Sequence, residues 1–151
     1  MLQHSVLLAL AGTLLAAVIA IPLGLASAYW GGWLDRLMLA CSTAMRAVPV
    51  FVIGLLAMIV FALEWQIFPV AGFGTPAHLV LPALTLALSL AAVSNRVVHT
   101  EAKRVFDSEF FEFARTRGFT PWQAFRHHGI RNIAVPVVAF FGIQLLNLIE
   151  G

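Results

Sequence analysis

The chain is 151 residues long, 61% hydrophobic and only 11% charged, with a mean hydropathy of +0.93. Soluble domains carry about 25% charged and about 45–50% apolar residues, so these figures exclude a soluble globular fold and mark a membrane protein. The net charge of +2 is too small to indicate a nucleic-acid partner, and a single cysteine, Cys41, excludes an internal disulfide framework and a cysteine-based metal site.

Residues 5–29 carry no charge and are long enough to cross a bilayer, which takes about 20 apolar residues. The leading MLQHSVLLAL has no basic n-region, so it reads as part of a span rather than as a signal peptide. Gly12, Ala16, Ala20, Gly24 and Ala28 recur every four residues and give this helix a face of small side chains, onto which another helix can pack closely. Pro22 removes one backbone donor near the inner end. Trp30 and Trp33 bracket Gly31-Gly32, a tight turn at an interfacial belt, and Asp35-Arg36 mark water.

A second span is expected over 37–63, interrupted by Arg46 and Pro49. Arg46 is either a functional charge inside the membrane or a side chain near the hydrocarbon edge that snorkels to the side of Arg36. Cys41 reads as a small packing residue. Residues 64–78, with Pro69, Gly72, Gly74 and Pro76, form a loop of turns. A third span covers 79–99, with Pro82 in its first turn. Its residues Thr85, Ser89, Ala92 and Arg96 share one face, which either lines a pathway or bonds neighbouring helices.

The charged segment 100–131 separates this span from a fourth, 133–150, which holds Pro136 near its start and a one-turn pair, Gln144 and Asn147, also candidates for a pathway. Within the charged segment, Phe106, Phe110, Phe113 and Ala114 recur at helical spacing, with Asp107, Glu109, Glu112 and Arg115 pointing elsewhere. Gly118 is a helix stop. Thr120-Pro121-Trp122-Gln123 then reads as a new start: Thr as N-cap, Pro at the first helical position, Gln closing a capping box. The segment is therefore either two short helices about a glycine turn or an ordinary solvated loop. All nine Lys and Arg residues fall at one side of the membrane, which the positive-inside rule makes cytoplasmic. The expectation is an all-α, polytopic transmembrane helical bundle of about four spans with a cytoplasmic helix-turn-helix.

No GxxxxGK[ST] is present to hold a nucleotide, no Ser/His/Asp set is arranged for catalysis, and the spans hold no carboxylate pair for a proton relay. His127-His128 are adjacent, so they do not share a helix face, and no carboxylate follows at ligand spacing. No catalytic residue, metal or cofactor is expected. Phe119, Trp122 and Phe125 on the protrusion suit a cytoplasmic partner.

Glu112-Phe113-Ala114, followed after three residues by Gly118, resembles the EAA-x3-G motif of ABC importer permeases. HHGIRN at 127–132, with Pro136, is similar to the sequence that follows the motif in the peptide/nickel branch, in place of the general IxLP pattern. FPVAGFGTPAHLVLPALTL at 68–86 looks like the outer loop and next span of dipeptide/oligopeptide/nickel permeases of the first-subunit type. The resemblance covers nearly the whole chain and implies an interior part of a larger inner-membrane permease, with spans before and after it. Two positions depart from the pattern: Phe113 replaces the first Ala of the motif core, and Gly129 lies in the second short helix, where it costs about 1 kcal/mol relative to Ala.

The resemblance also implies a mechanism. Segment 100–131 becomes a coupling loop seated in a groove of an ATPase subunit, with Glu112, Ala114, Arg115, Gly118, Phe119, Trp122, Phe125, Arg126 and Arg131 as its coupling residues. The implied partners are cytoplasmic ATP-binding subunits, a second permease subunit in a heterodimer, an external substrate-binding protein and membrane lipid. ATP hydrolysis falls to the separate subunit. The cargo is a peptide, or nickel or a metal chelate, and is selected outside the membrane. The competing reading is a channel or scaffold that works without ATP, whose loop docks a cytoplasmic partner and whose pore would be lined by Thr85, Ser89, Gln144 and Asn147.

Overall fold

A computed structural model describes residues 2–69 and 75–150, with side chains from residue 5 onward. The described residues form helices and no strand. The elements are α1 (Leu2–Trp30), α2 (Gly32–Ala47), α3 (Val50–Ala57), a π-helical turn (Met58–Glu64), α4 (Ala77–Phe106), α5 (Glu109–Thr116), α6 (Pro121–Ala124), a second π-helical turn (Phe125–Gly129) and α7 (Ile130–Glu150).

The small-residue face of α1 is the centre of the fold. Ala16 and Ala20 are fully buried against Ala87, Ala91 and Val98 of α4. A Cβ on Gly12 would stand 3.2 Å from Leu86 Cβ, and one on Gly24 only 2.7 Å from Val98 Cβ. Matching positions advance together along both helices, so α1 and α4 run parallel. Two spans can be parallel only if the chain recrosses between them, and the broken pair α2–α3 is the apolar segment that lies between them. Between α1 and α2, Gly31 and Gly32 take φ of +58° and +59°, a left-handed pair that the double glycine permits. Trp30 and Trp33 on either side are exposed.

The span expected over 37–63 is not one helix. Val48-Pro49 breaks it, and the two halves meet at 97°. Proline at the cap of α3 has no N–H to continue the ladder. Asp35 and Ser42 of α2 both reach the single stretch of α4 from Asn95 to Arg96. The first half therefore crosses α4 steeply and stays at the charged end with Arg36 and Arg46, as the snorkelling reading of Arg46 expects. Beyond the bend, Gly54 faces Thr85 and the chain climbs antiparallel to α4. Cys41, expected to pack inside, is exposed on α2. Gly72 and Gly74 of the expected loop lie outside the described residues.

The third helix outruns its expected end at residue 99 and continues to Phe106, so the first part of the charged segment is a straight extension of α4. The fourth helix begins early. Pro121–Glu150 is one continuous rod with a π-helical turn in it, so the expected second short helix is the beginning of that rod. Ile133, Val137 and Phe141 of α7, four residues apart, close the core against α1 and α4. Among the described residues three helices are long and apolar enough to cross a membrane, and the broken pair makes a fourth crossing if its halves are one span.

Candidate functional site

The charged end of the bundle carries a folded protrusion. Ser108 caps α5, its Oγ accepting from Phe111 N–H. The cap re-phases the helix relative to α4, and this corrects the periodicity reading. Phe111 and Ala114 are the buried face, whereas Phe110 and Phe113 are exposed, and Phe106 belongs to α4. Arg117 lies over the Phe113 ring, 4.8 Å from its centroid.

α5 ends in a Schellman turn. Phe119 N–H donates to Ala114 C=O at 3.3 Å and Gly118 N–H to Arg115 C=O at 3.1 Å, with Gly118 at φ +88°. α6 opens with both halves of a capping box: Gln123 N–H donates to Thr120 Oγ1 and Thr120 N–H to Gln123 Oε1, with Pro121 at the first position. Ala124 of α6 buries itself against Phe111 and Ala114, so the two capped helices share a small core.

Phe106 is the joint between protrusion and bundle. Its ring meets Tyr29 of α1 at 5.7 Å, Phe111 at 5.4 Å and Phe125 at 5.8 Å between centroids. Phe125 therefore packs inward, contrary to its expected display beside Phe119 and Trp122. Those two are exposed, Trp122 by 65%. Glu112, Arg115 and Arg126 are exposed around them. Arg131 stands apart at the first turn of α7, on a cleft at the base of the protrusion. Gly129 packs against Phe125, where a Cβ would come within 2.8 Å of the ring. The glycine that departs from the pattern thus makes room for the Phe125 ring.

Above the joint a polar junction ties three helices together. Asp35 of α2 accepts from Arg96 Nη1 at 3.1 Å and lies 3.5 Å from His99 Nε2. His99 Nδ1 is 3.0 Å from Ser27 Oγ of α1, and Asn95 donates to Ser42 Oγ at 3.2 Å. Ser27 Oγ also lies 3.0 Å from Gly24 C=O, and its single proton serves either that carbonyl or His99 Nδ1, while Asn95 Oδ1 is buried with no partner. Sequence reasoning missed Ser27, Asn95 and His99. The available signal was the polar pair Asn95 and His99, one helical turn apart next to Arg96 on an otherwise apolar helix.

Among the described residues no hydrogen bond joins the α4 pathway candidates, Thr85 and Ser89, to those on α7, Gln144 and Asn147. Thr85 donates to Leu81 C=O of its own helix at 2.9 Å, and Ser89 Oγ is buried with no partner. Gln144 accepts from Asn147 at 3.4 Å on α7. No three His, Cys, Asp or Glu residues among those described gather as a metal site.

Residues 20–151 match the family described as binding-protein-dependent transport system inner membrane component. The chain belongs to that family. It is a multi-pass inner-membrane component, and the resemblance to ABC importer permeases of the peptide/nickel type is borne out. Among curated relatives, it is 32% identical over 137 residues to the glutathione transport system permease protein GsiC of Pectobacterium atrosepticum. It is 31% and 30% identical over the same length to the proteins of that name from Escherichia coli K12 and Salmonella typhimurium. Each alignment covers 90% of this chain and 45% of the relative, so the chain spans less than half the length of these permeases. The family match includes α4, the whole protrusion and α7.

Proposed function

We propose that this chain is the energy-coupling portion of the membrane subunit of an ATP-driven importer. The observation that carries the reading is the protrusion, two capped helices set at a fixed angle by Gly118 with Phe119 and Trp122 bare at the tip, inside a permease-family match. Caps and a shared core make a stiff lever, which passes on displacement where a mobile loop would absorb it. Aromatic residues and Arg are enriched where protein surfaces dock. Trp122 and Phe119 enter a groove on a cytoplasmic ATP-binding subunit, while Glu112, Arg115 and Arg126 set the register. When ATP draws two such subunits together, the pull reaches α1 and α4 through Phe106. A second permease subunit supplies the other half of the translocation path, and an external binding protein delivers the cargo. The relatives' names favour a small peptide of glutathione's kind over nickel or a metal chelate.

The test is affinity purification of the full-length permease in mild detergent, with a Gly118→Asp, Trp122→Ala double variant as control. A P-loop ATPase is expected with the native protrusion and absent from the variant. Gly118→Asp alone is expected to leave the protein inserted and to abolish uptake, because a side chain at φ +88° has room but opposes the backbone angle. An importer that recovers no ATPase in any of several detergents, or transports without cytoplasmic ATP, returns the chain to the channel or scaffold reading.

A further inference from the structure

At the base of the protrusion, between the end of α4 and the first turns of α7, lies an open cleft of about 620 Å³. Arg104, His128 and Arg131 line it together with the apolar side chains of Val105, Phe110 and Val135. Glu101 offsets one of these charges, pairing with Arg104 at 3.2 Å. Arg131 has no carboxylate partner among the described residues. Phe110, although exposed, is fixed at the cleft by the edge of His128, with ring centroids 4.6 Å apart.

Two features define the ligand. Positive charge in excess of negative calls for an anion. The cleft also opens onto the outer face of α7, where Val135 and Val138 are 69% and 68% exposed and begin the apolar surface of a membrane-spanning helix. A free phosphate would use only the first feature, and a fatty chain only the second. Basic pockets at the water boundary of transmembrane helices suit the headgroups of anionic lipids. Phe119 and Trp122, at the tip, do not line the cleft, so occupancy here leaves the proposed docking surface open.

We propose that this cleft binds the phosphodiester headgroup of an anionic phospholipid, with Arg131 as its main cation and the acyl chains lying along Val135 and Val138. Such a lipid fills the angle between α4, α5 and α7 and holds the protrusion upright relative to the bilayer.

The test reconstitutes the full-length permease with its partner subunits in nanodiscs of phosphatidylcholine doped with phosphatidylglycerol. Lipid retained through detergent exchange is then measured by mass spectrometry. Phosphatidylglycerol is expected to be enriched, and Arg131→Gln to lower its retention about fivefold, the effect of one juxtamembrane charge. Arg131→Lys, which keeps the charge, retains the lipid, and so does Arg36→Gln on α2. Arg104→Gln combined with Arg131→Gln lowers retention further; if that double variant does not fold, Arg131→Gln and Arg131→Lys decide. Displacement by millimolar inorganic phosphate would identify a soluble anion and overturn the lipid assignment. Equal retention in Arg131→Gln and native protein would overturn the site. Loss of a partner subunit from Arg131→Gln without any lipid enrichment would show that protein covers the cleft, and would overturn it as well.

Discussion

The α1–α4 seam and the protrusion solve opposite problems with opposite residues. Along the seam, glycine and alanine let two long helices approach until Gly24 has no room for a methyl group, and the packing is specific because nothing can move. On the protrusion the buried core is only Phe111, Ala114 and Ala124, and order comes from caps, a Schellman turn and the ring cluster at Phe106. The seam is tight at Gly12 and closed at Gly24, whereas the protrusion has open space at Gly118 and depends on a few backbone hydrogen bonds. A body that must not deform and a lever that must be steered by a partner have these two characters. Substitutions in the seam should therefore destabilise the whole bundle, and those in the protrusion only the protrusion.

The largest effect belongs to the seam. Gly24→Val would drive a branched side chain into Val98 Cβ and Cγ1, both already 2.7 Å from an added Cβ, and towards Asn95 C=O. Val98 is itself β-branched and fully buried, so it cannot rotate away. The expected cost is about 3 kcal/mol or more, at the upper end for overpacking. It should appear as loss of monodisperse protein on size exclusion after mild heating. Normal thermal resistance of Gly24→Val would mean that α1 and α4 are not in close contact in the membrane.

Phe106→Ala comes next, because it removes a ring that, with Phe125, packs against the cores of both body and lever. A loss of about 2–3 kcal/mol is expected, below the figure for a fully buried Phe, since Phe106 is only partly buried. Its signature separates the two regions: amide exchange should quicken in 107–129 while α1 and α4 stay protected. Equal loss of protection in both would show that the protrusion is not an independent unit.

Much of this division could be read from residues close in sequence. The four-residue spacing on α1, the glycine pair at 31–32, the left-handed Gly118 and the Thr120 box all depend on local geometry, and local geometry is what sequence encodes most directly. The failures arose at joints. Treating Phe106 as part of the protrusion ignored the break at Asp107-Ser108. A helix turns 100° per residue, so a restarted helix presents a different ring, Phe111, to the core. Pro49 announced an interruption, but the 97° bend depends on α2 packing across Asn95 and Arg96, residues far along the chain. Asp35 looked like a marker of water because its partners stand 61 and 64 residues away. The early start of the fourth helix was hidden because Gly129 reads as a breaker, whereas here it clears space for Phe125.

Asp35→Asn tests the junction between the two regions and should do less than Phe106→Ala. Asn can still accept from Arg96, but it removes the negative charge between Arg96 and His99. The pair is about a third exposed, which limits its worth to about 1 kcal/mol or less. The midpoint of thermal unfolding should fall slightly, and the fall should shrink at high salt, where the native pair is itself screened. A salt-independent change would assign the role of Asp35 to packing rather than charge.

The smallest loss is expected at the cap of α6. Thr120→Ala deletes one hydroxyl, exposed and far from the seam, yet it removes the acceptor for Gln123 N–H and half of a reciprocal pair. The cost for an exposed cap is about 0.5–1 kcal/mol. In the body such a loss would be lost in the total, since α1 and α4 are held along their whole length. In the protrusion it falls on the four residues of α6, anchored by Ala124, the contact of Trp122 with Phe125 and the start of the π-helical turn. Global unfolding should therefore not move, while amide exchange at Trp122, Gln123 and Ala124 rises severalfold. Thr120→Ser, which keeps the acceptor, should restore it. If the alanine variant instead lowers the global midpoint, the protrusion is part of the folding unit of the bundle, and the separation into rigid body and steered lever fails.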